Sequence, residues 1–237
     1  MLKGKKILIF DLGGVLIDLH VDRSFEALLE MGVDAHLLTE RNCLMSSVMM
    51  KYDRGDISTD MMFGYIASQL PDAVREGWGD ALDDRLHEIW NMMLGSYSPS
   101  KFRRLAQLRA EGFRVVMLSN TNDAHWGPIE EKFLAEMGEP LSNFFDAFYL
   151  SYRMHLRKPE KEIFLELLAS ECADASECIF FDDSEENCAV AREVGIDAVN
   201  ICFIFQLKSL HNSCCISAII CRHFCPTVNW KGLRWLG

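Results

Sequence analysis

Short apolar runs alternate with longer amphipathic segments along much of the chain. Five of these runs are rich in β-branched or aromatic residues, which is typical of buried strands. They are Lys6–Phe10, Arg114–Leu118, Ala147–Leu150, Ile179–Phe181 and Ala198–Phe205. Helical periodicity separates most of them, over Pro99–Glu111, Glu160–Ser170 and Glu185–Val194. This alternation predicts an α/β fold with a doubly wound parallel sheet.

One interval between strands departs from the alternation. The segment from about His20 to Ser96 contains helical patterns only, and it is too long for a single crossover connection. The patterns are Arg23–Met31, His36–Tyr52, Thr59–Leu70 and Leu82–Leu94. We therefore predict that residues 20–96 are an inserted helical domain above the C-terminal end of the first strand. Residues 1–19 and 97–205 would then form the core domain.

Composition and charge exclude several classes of protein. The chain has 24 basic and 35 acidic residues, a formal net charge of -11, so a nucleic-acid partner is not expected. The apolar run before Asp11 is too short for a signal peptide, and no uninterrupted apolar stretch of about 18 residues predicts a membrane span. Nine cysteines without regular spacing indicate free thiols. We expect a cytoplasmic monomer.

The C-terminal segment, residues 206–237, has an atypical composition. From Ala198 onward there is no Asp or Glu, while Cys214, Cys215, Cys221, His223 and Cys225 lie close together. Three interpretations are open: a zinc site, unpaired thiols, or an inserted or frame-shifted segment foreign to the core. Structural zinc sites usually show two ligand pairs around a defined loop, and this pattern is missing.

Polar residues follow four of the predicted strands at the point where each strand ends. In parallel sheets these carboxyl ends share one edge, where binding sites form. In chain order the residues are Asp11 and Gly13, Ser119 and Asn120, Lys158 in the loop after the third strand, and Asp182 and Asp183. We therefore expect them to make one site.

The residue types at this edge favour phosphoryl chemistry. Three carboxylates this close cannot all ionise unless a cation lies among them, and an oxygen-only ligand set suits Mg²⁺. Lys158, Ser119 and the backbone amides near Asn120 could hold a phosphate. A carboxylate that attacks phosphorus forms an aspartyl-phosphate, which water then hydrolyses. The pattern predicts a Mg²⁺-dependent phosphatase for a small phosphorylated metabolite.

The order of these motifs resembles the haloacid dehalogenase (HAD) superfamily over residues 5 to about 200. The four motifs are Ile-Phe-Asp11-Leu-Gly-Gly-Val-Leu, Leu118-Ser119-Asn120, Lys158-Pro159 and Phe181-Asp182-Asp183-Ser184. The inserted helices resemble the helical cap of its first subclass. Within the superfamily, the chain is similar to bacterial sugar-phosphate phosphatases of the alpha-glucose-1-phosphatase type.

The resemblance implies a Rossmann-like core and a role for each site residue. Asp11 would be the nucleophile and a metal ligand, and Gly13 would offer its backbone carbonyl to the metal. Asp182 and Asp183 would complete the Mg²⁺ shell. Lys158, with Ser119 and Asn120, would hold the phosphate, and Lys158 would also act in catalysis.

One position departs from the superfamily pattern. Most of its phosphatases carry a second Asp two residues after the nucleophile as general acid/base, and Gly13 stands there in this chain. Without a positioned acid, loss of an alkoxide slows by about 10²–10⁴-fold. Two alternatives stay open: a haloacid dehalogenase, which needs neither acid nor metal, and a phosphate-binding protein with weak turnover.

Two segments outside the motifs have open interpretations. The run Tyr52–Ile57 reads as a turn between cap helices, and in the resembling family this loop approaches the substrate, so a specificity role is possible. His125 and Trp126 follow the second motif. They would either line the mouth of the pocket or pack in a loop.

Overall fold

The computed structural model describes residues 4–38 and 43–201, apart from the side chains of residues 43–46. The end of the fifth predicted strand, residues 202–205, lies outside this range. The predicted C-terminal segment 206–237, with its three interpretations, also lies outside it.

A five-stranded parallel sheet is the centre of the molecule, with strand order β5-β4-β1-β6-β7. Its strands are β1 (Ile7–Phe10), β4 (Arg114–Ser119), β5 (Ala147–Leu150), β6 (Cys178–Asp182) and β7 (Asp197–Asn200). The helices that precede or connect the strands from β4 to β7 are α7 (Pro99–Ala110), α8 (Asp123–Met137), α9 (Ser151–Met154), α10 (Lys161–Ser170) and α11 (Glu185–Glu193). The predicted α/β fold is confirmed.

The central strand β1 is apolar at every position because both faces of the sheet are covered. Leu8 and Phe10 belong to an apolar cluster shared with Phe102 of α7. Ile7 and Ile9 point to the other face and belong to a cluster with Phe164 of α10, as expected for the alternation of side chains along a strand.

The inserted segment contains six α-helices in the described ranges and has its own apolar cluster. They are α1 (Val21–Glu30), α2 (Ala35–Leu38), α3 (Cys43–Asp53), α4 (Thr59–Ser68), α5 (Asp72–Trp78) and α6 (Leu82–Asn91). Leu28, Phe63, Ile66 and Trp90 are buried together in that cluster. No helix in the described part of the chain is long and apolar enough to cross a membrane. The domain boundaries at residues 20 and 96 stay a prediction.

The junction between insert and core contains a feature that the sequence pattern did not predict. A short strand β2 (Ile17–Leu19) pairs antiparallel with β3 (Leu94–Tyr97). The helix predicted to reach Leu94 ends at Asn91, because the following residues form β3. Gly95 lies so close to the backbone carbonyl of Asp18 that a side chain would collide with it. Strands this short carry too few residues to show a period of two.

Two other helical segments also differ from the sequence analysis. The predicted helix His36–Tyr52 corresponds to α2 and α3, with the undescribed residues 39–42 between them. The long helix α8 was not predicted at all. It contains Pro128, and its apolar positions show little helical periodicity.

Candidate active site

Three aspartates from adjacent strands form an acidic cluster at the carboxyl edge of the sheet. Asp11 follows β1 directly, while Asp182 ends β6 and Asp183 comes next. The two strands are in register, and the Asp11 amide donates to the Phe181 carbonyl at 2.9 Å. One carboxylate oxygen from each aspartate lies within 4.8 Å of the others. The predicted cluster of Asp11, Asp182 and Asp183 is therefore present in the structure.

The ammonium group of Lys158 lies inside this acidic cluster. Its Nζ is 3.0 Å from Asp11 Oδ1 and 2.6 Å from Asp182 Oδ2, and the side chain is only 1% exposed. The same Nζ lies over the Phe180 ring, 5.4 Å from its centroid. Burial alone would lower the pKa of Lys158, but attraction to the two carboxylates outweighs it and raises the pKa above its usual value. Lys158 is thus a fixed, buried cation.

Asp11 is buried, and one lysine does not compensate its charge fully. Burial raises the pKa of Asp11 to about 7; Lys158 opposes this shift, and repulsion from Asp182 and Asp183 adds to it. Both described hydrogen bonds to the carboxylate reach Oδ1, from the Leu12 amide at 2.7 Å and from Lys158. Among the described residues, this leaves Oδ2 as the oxygen that can face a substrate.

The two aspartates of the fourth motif have different surroundings. Asp182 is completely buried, and its oxygens accept hydrogen bonds from the Ser184 amide at 2.7 Å, from Asn187 at 3.0 Å and from Lys158. Asp183 is partly exposed, and burial followed by repulsion from Asp182 raises the pKa of its carboxyl. Asp182 is therefore anchored by protein groups, while Asp183 is directed toward the open side of the cluster.

Gly14 makes the position of Asp183 possible. Its φ is +69°, and a Cβ at this position would collide with Oδ2 of Asp183. Only glycine combines this left-handed backbone with so close a contact. No role was predicted for Gly14, although a second glycine directly after Gly13 was a visible signal. Gly13 has another neighbour, since a Cβ there would lie 2.5 Å from Cδ1 of Leu19.

The second motif lies beside the acidic cluster, and its two residues make different contacts. Ser119 is buried at the end of β4. The side chain of Asn120 bonds to the backbone of Lys158 in both directions: its Nδ2 donates to the carbonyl and its Oδ1 accepts from the amide, each at 2.9 Å. The Asn120 side chain therefore positions Lys158, and the expected role of Asn120 in holding phosphate stays a prediction.

A cavity of about 140 Å³ lies between this edge of the core and the inserted helices. Gly13 and Ser119 line it from the core, and Met49, Asp53 and Trp90 line it from the insert. We call it the cap cavity. Slightly more than half of its lining residues are apolar, so a polar group that can carry a charge stands out chemically.

Asp53 is such a polar group, and it lies at the start of the loop singled out in the sequence. Its Oδ2 is 3.7 Å from Nη2 of Arg157, and the side chain of Asn122 hydrogen-bonds to it. The carboxylate is 18% exposed. Burial raises the pKa of Asp53 to about 6, against the opposing effects of Arg157 and Asn122. Spacing in the sequence could not show that residue 53 faces residue 157.

His125 and Trp126 have separate environments. His125 lines the cap cavity; its Nε2 is 3.0 Å from the Trp90 carbonyl and its Nδ1 is 3.3 Å from the Asn122 amide nitrogen. Burial lowers the pKa of His125 to about 4, so the ring is neutral at pH 7 and donates from Nε2. Trp126 packs against Phe148, with ring centroids 5.5 Å apart.

The donor set of the acidic cluster fits a magnesium ion. Its members offer carboxylate oxygens only, which are the ligands Mg²⁺ prefers. The raised pKa of Asp11 indicates that Lys158 alone leaves negative charge uncompensated. Asp11 and Asp183 could bind the ion directly, because the oxygens of Asp182 already have protein partners.

A sequence model described as haloacid dehalogenase-like hydrolase matches residues 5–195, which is most of the chain. The chain belongs to the haloacid dehalogenase-like hydrolase family. The predicted family is therefore confirmed, and with it the Rossmann-like core.

Two relatives from Bacteroides thetaiotaomicron are similar over most of their length. D-ribitol-5-phosphate phosphatase is 29% identical over 199 residues, which cover 81% of this chain and 89% of the relative. The crystal structure of a HAD family enzyme is 33% identical, covers 83% of this chain and 93% of that one, and has a TM-score of 0.69. A structure of the wild-type form of that enzyme in complex with magnesium and inorganic phosphate is 31% identical, covers 82% and 93% of the two chains, and has a TM-score of 0.67.

Proposed function

We propose that this HAD family hydrolase is a Mg²⁺-dependent phosphatase that acts on a small phosphorylated sugar or sugar alcohol. The observation that carries the proposal is the acidic cluster with Lys158 between two of its members, at 3.0 Å from Asp11 and 2.6 Å from Asp182. Phosphoryl transfer needs positioning and charge neutralisation more than any other contribution.

In this proposal Asp11 is the nucleophile. Its Oδ2 attacks phosphorus, the bond from phosphorus to the leaving oxygen breaks, and the phosphoryl group is transferred to Asp11. Water then hydrolyses the aspartyl-phosphate, which releases phosphate and restores the carboxylate. The contacts of Oδ1 with the Leu12 amide and Lys158 support Oδ2 as the attacking oxygen, because they hold Oδ1 and leave the other oxygen outward.

Lys158 and Ser119 hold the transferring group in this proposal. Lys158 is buried and permanently charged, so it can stabilise phosphate oxygens without reorganising. Asn120 keeps Lys158 in place through its two backbone contacts, and Ser119 can donate its hydroxyl to the phosphate.

Asp11, Asp183 and the backbone carbonyl of Gly13 would hold Mg²⁺. When bound, the ion would neutralise phosphate charge and lower the pKa of Asp11. Asp182 would act mainly by keeping Lys158 and the neighbouring Asp183 in position, given its contacts with Ser184 and Asn187.

The cap cavity and the named relative support the substrate class. A cavity of about 140 Å³ suits a small leaving group and not a polymer or a long chain. The curated relative acts on D-ribitol 5-phosphate by its name. Ribitol 5-phosphate and α-D-glucose 1-phosphate are therefore the first two compounds to compare.

The test is phosphate release from a panel of sugar and sugar-alcohol phosphates, with Mg²⁺ and with a chelator. We expect turnover only with Mg²⁺, and none in Asp11→Asn. The exposed Asp84→Asn on α6 is the matched control and should behave like wild type. Turnover that survives in Asp11→Asn would refute the assignment of the nucleophile.

A haloacid dehalogenase is the second candidate from the sequence. That reaction needs no metal, since halide leaves without assistance, so a donor set suited to Mg²⁺ does not favour it. Halide release from a 2-haloacid in the presence of chelator, with no phosphatase activity, would favour this alternative.

A further inference from the structure

The position two residues after Asp11 has no side chain that could give a proton to the leaving oxygen. Gly13 has none, and Leu19 fills the space next to its α-carbon, with Cδ1 2.5 Å from the position of a Cβ. An alkoxide from a sugar alcohol is a poor leaving group, so its departure depends on a general acid. If the chain hydrolyses such esters, the proton must come from another part of the molecule.

Only two titratable side chains are found among the described residues that line the cap cavity. They are Asp53 and His125. His125 is unsuitable, because its Nε2–H is directed to the Trp90 carbonyl and its Nδ1 faces Asn122. Burial also keeps the pKa of His125 near 4, so the ring is neutral at pH 7. Its single N–H proton is already donated to the Trp90 carbonyl.

Asp53 has the properties that His125 lacks. It ends α3 and lines the cap cavity, whose lining also includes Gly13 and Ser119, so it borders the same space as the position that lacks a side chain. Arg157 and Asn122 hold it in place from the core. Burial brings its pKa to about 6, close enough to neutrality for both protonation states to be populated.

Among the residues that the structure describes, one ion pair involves Asp53. Arg157 is the charged side chain that faces it. The adjacent Arg54 is directed elsewhere, toward Asp56 at 3.3 Å and Glu160 at 2.8 Å. Burial and Arg157 therefore control the protonation of Asp53.

We propose that Asp53 is a catalytic residue, the general acid–base of this enzyme, supplied by the inserted helices in place of the side chain absent at Gly13. The inference rests on the proposed phosphatase function. As Asp11 bonds to phosphorus and the ester bond breaks, the Asp53 proton passes to the leaving oxygen, and the alcohol departs neutral. Asp53 then takes a proton from the water that hydrolyses the aspartyl-phosphate, and the cycle closes.

The experiment compares two leaving groups in a single turnover with Mg²⁺: D-ribitol 5-phosphate, whose alkoxide needs a proton, and p-nitrophenyl phosphate, whose phenolate does not. In Asp53→Asn, the first turnover of the ribitol ester should slow by about 10²–10⁴-fold. The first release of p-nitrophenolate should stay close to the wild-type rate, while later turnovers slow because the second step also needs the base.

Asp56→Asn is the matched control, since this exposed carboxylate lies three residues away and faces Arg54 and His155. It should leave both substrates unaffected. If Asp53→Asn does not fold, Arg157→Gln replaces it. Loss of the arginine charge should move the pKa in the ribitol pH–rate profile upward and leave the p-nitrophenolate burst unchanged.

Three results would overturn the role of Asp53: equal slowing of both first turnovers, a change in KM alone, or a wild-type rate with the ribitol ester. For Arg157→Gln, an unshifted profile would do the same. Absence of wild-type turnover with both esters, or activity in Asp11→Asn, would instead overturn the phosphatase function on which the inference depends.

Discussion

The acidic cluster and the cap cavity meet at Gly13 and Ser119, yet they are built in opposite ways. In the acidic cluster, charges are packed against charges, and Lys158 contacts two of the three carboxylates within 3.0 Å. In the cap cavity, most of the lining is apolar, and Asp53 is 3.7 Å from its nearest cation.

This difference separates two tasks. The acidic cluster comes from adjacent strand ends, so the sheet brings its carboxylates to one edge, and it suits chemistry shared by many substrates. The cap cavity needs residues from α3, α6 and the start of α8 at once, so its shape depends on how the insert packs on the core. Substitutions in the two regions should therefore have different effects.

The largest effect is expected from Lys158→Met. Removal of the ammonium leaves Asp11 and Asp182 buried without their cation, which should lower the free energy of unfolding by about 3–5 kcal/mol and abolish turnover. Denaturant unfolding at pH 7 measures the change. Lys132→Met, which breaks a partly exposed pair with Glu136 on α8, should cost less than about 1 kcal/mol. Similar losses in both variants would contradict the picture of a charge-balanced cluster.

A smaller effect is expected within the acidic cluster, where Asp183 should bind Mg²⁺ directly and Asn187 should only hold Asp182 in place. Asp183→Asn should raise the Mg²⁺ concentration for half-maximal activity by about 100-fold. Asn187→Ala, which removes a hydrogen bond to Asp182, should raise it by only about 10-fold. Mg²⁺ titration of activity measures both. An unchanged titration in Asp183→Asn would place the metal elsewhere.

The smallest effect concerns acid stability, where His125 and Asp53 should act in opposite directions. The pKa of His125 falls from 6.5 to about 4 on folding. Its contribution to folding stability is therefore present above pH 6.5 and is lost as the pH falls toward 4. The pKa of Asp53 rises from 3.8 to about 6, so its contribution is present below pH 3.8 and is lost as pH rises through 6. When the pH falls from 7 to 5, protonation linked to His125 should lower the free energy of unfolding by about 2 kcal/mol. Protonation of Asp53 should raise it by about 1 kcal/mol.

Urea unfolding of single variants at the two pH values measures these contributions. His125→Asn should lose less stability than wild type on acidification, and Asp53→Asn should lose more. The exposed His155→Asn is the control and should track wild type. If all three variants lost the same free energy of unfolding between the two pH values, neither buried group would titrate as its surroundings indicate.

Much of the core could be predicted from sequence because its causes are local. β1 and β6 are continuous apolar runs, since strands covered on both faces leave no polar position, and Asp11 and Asp182 stand where these runs end. Neighbouring strands of one parallel sheet then bring these two carboxylates to the same edge.

The rest depends on contacts between distant segments, which no local pattern records. The hydrogen bonds of Asn120 to Lys158 join positions 38 residues apart, and Asp53 meets Arg157 across the interface between insert and core. β2 and β3 are too short for periodicity to distinguish them from loop. Gly14 was visible as a glycine, but only the position of Asp183 explains it.

The pairing of β2 with β3 has a consequence for the history of this architecture. Leu19 and Leu94, near the two ends of the helical segment, are paired, and the His20 amide donates to the Met93 carbonyl at 2.8 Å. Entry and exit are therefore neighbours, so a tight turn could close the gap without shifting a single strand of the main sheet. An insertion attached in this way can be exchanged between genes while the catalytic half stays intact, which lets one reaction be directed to new molecules.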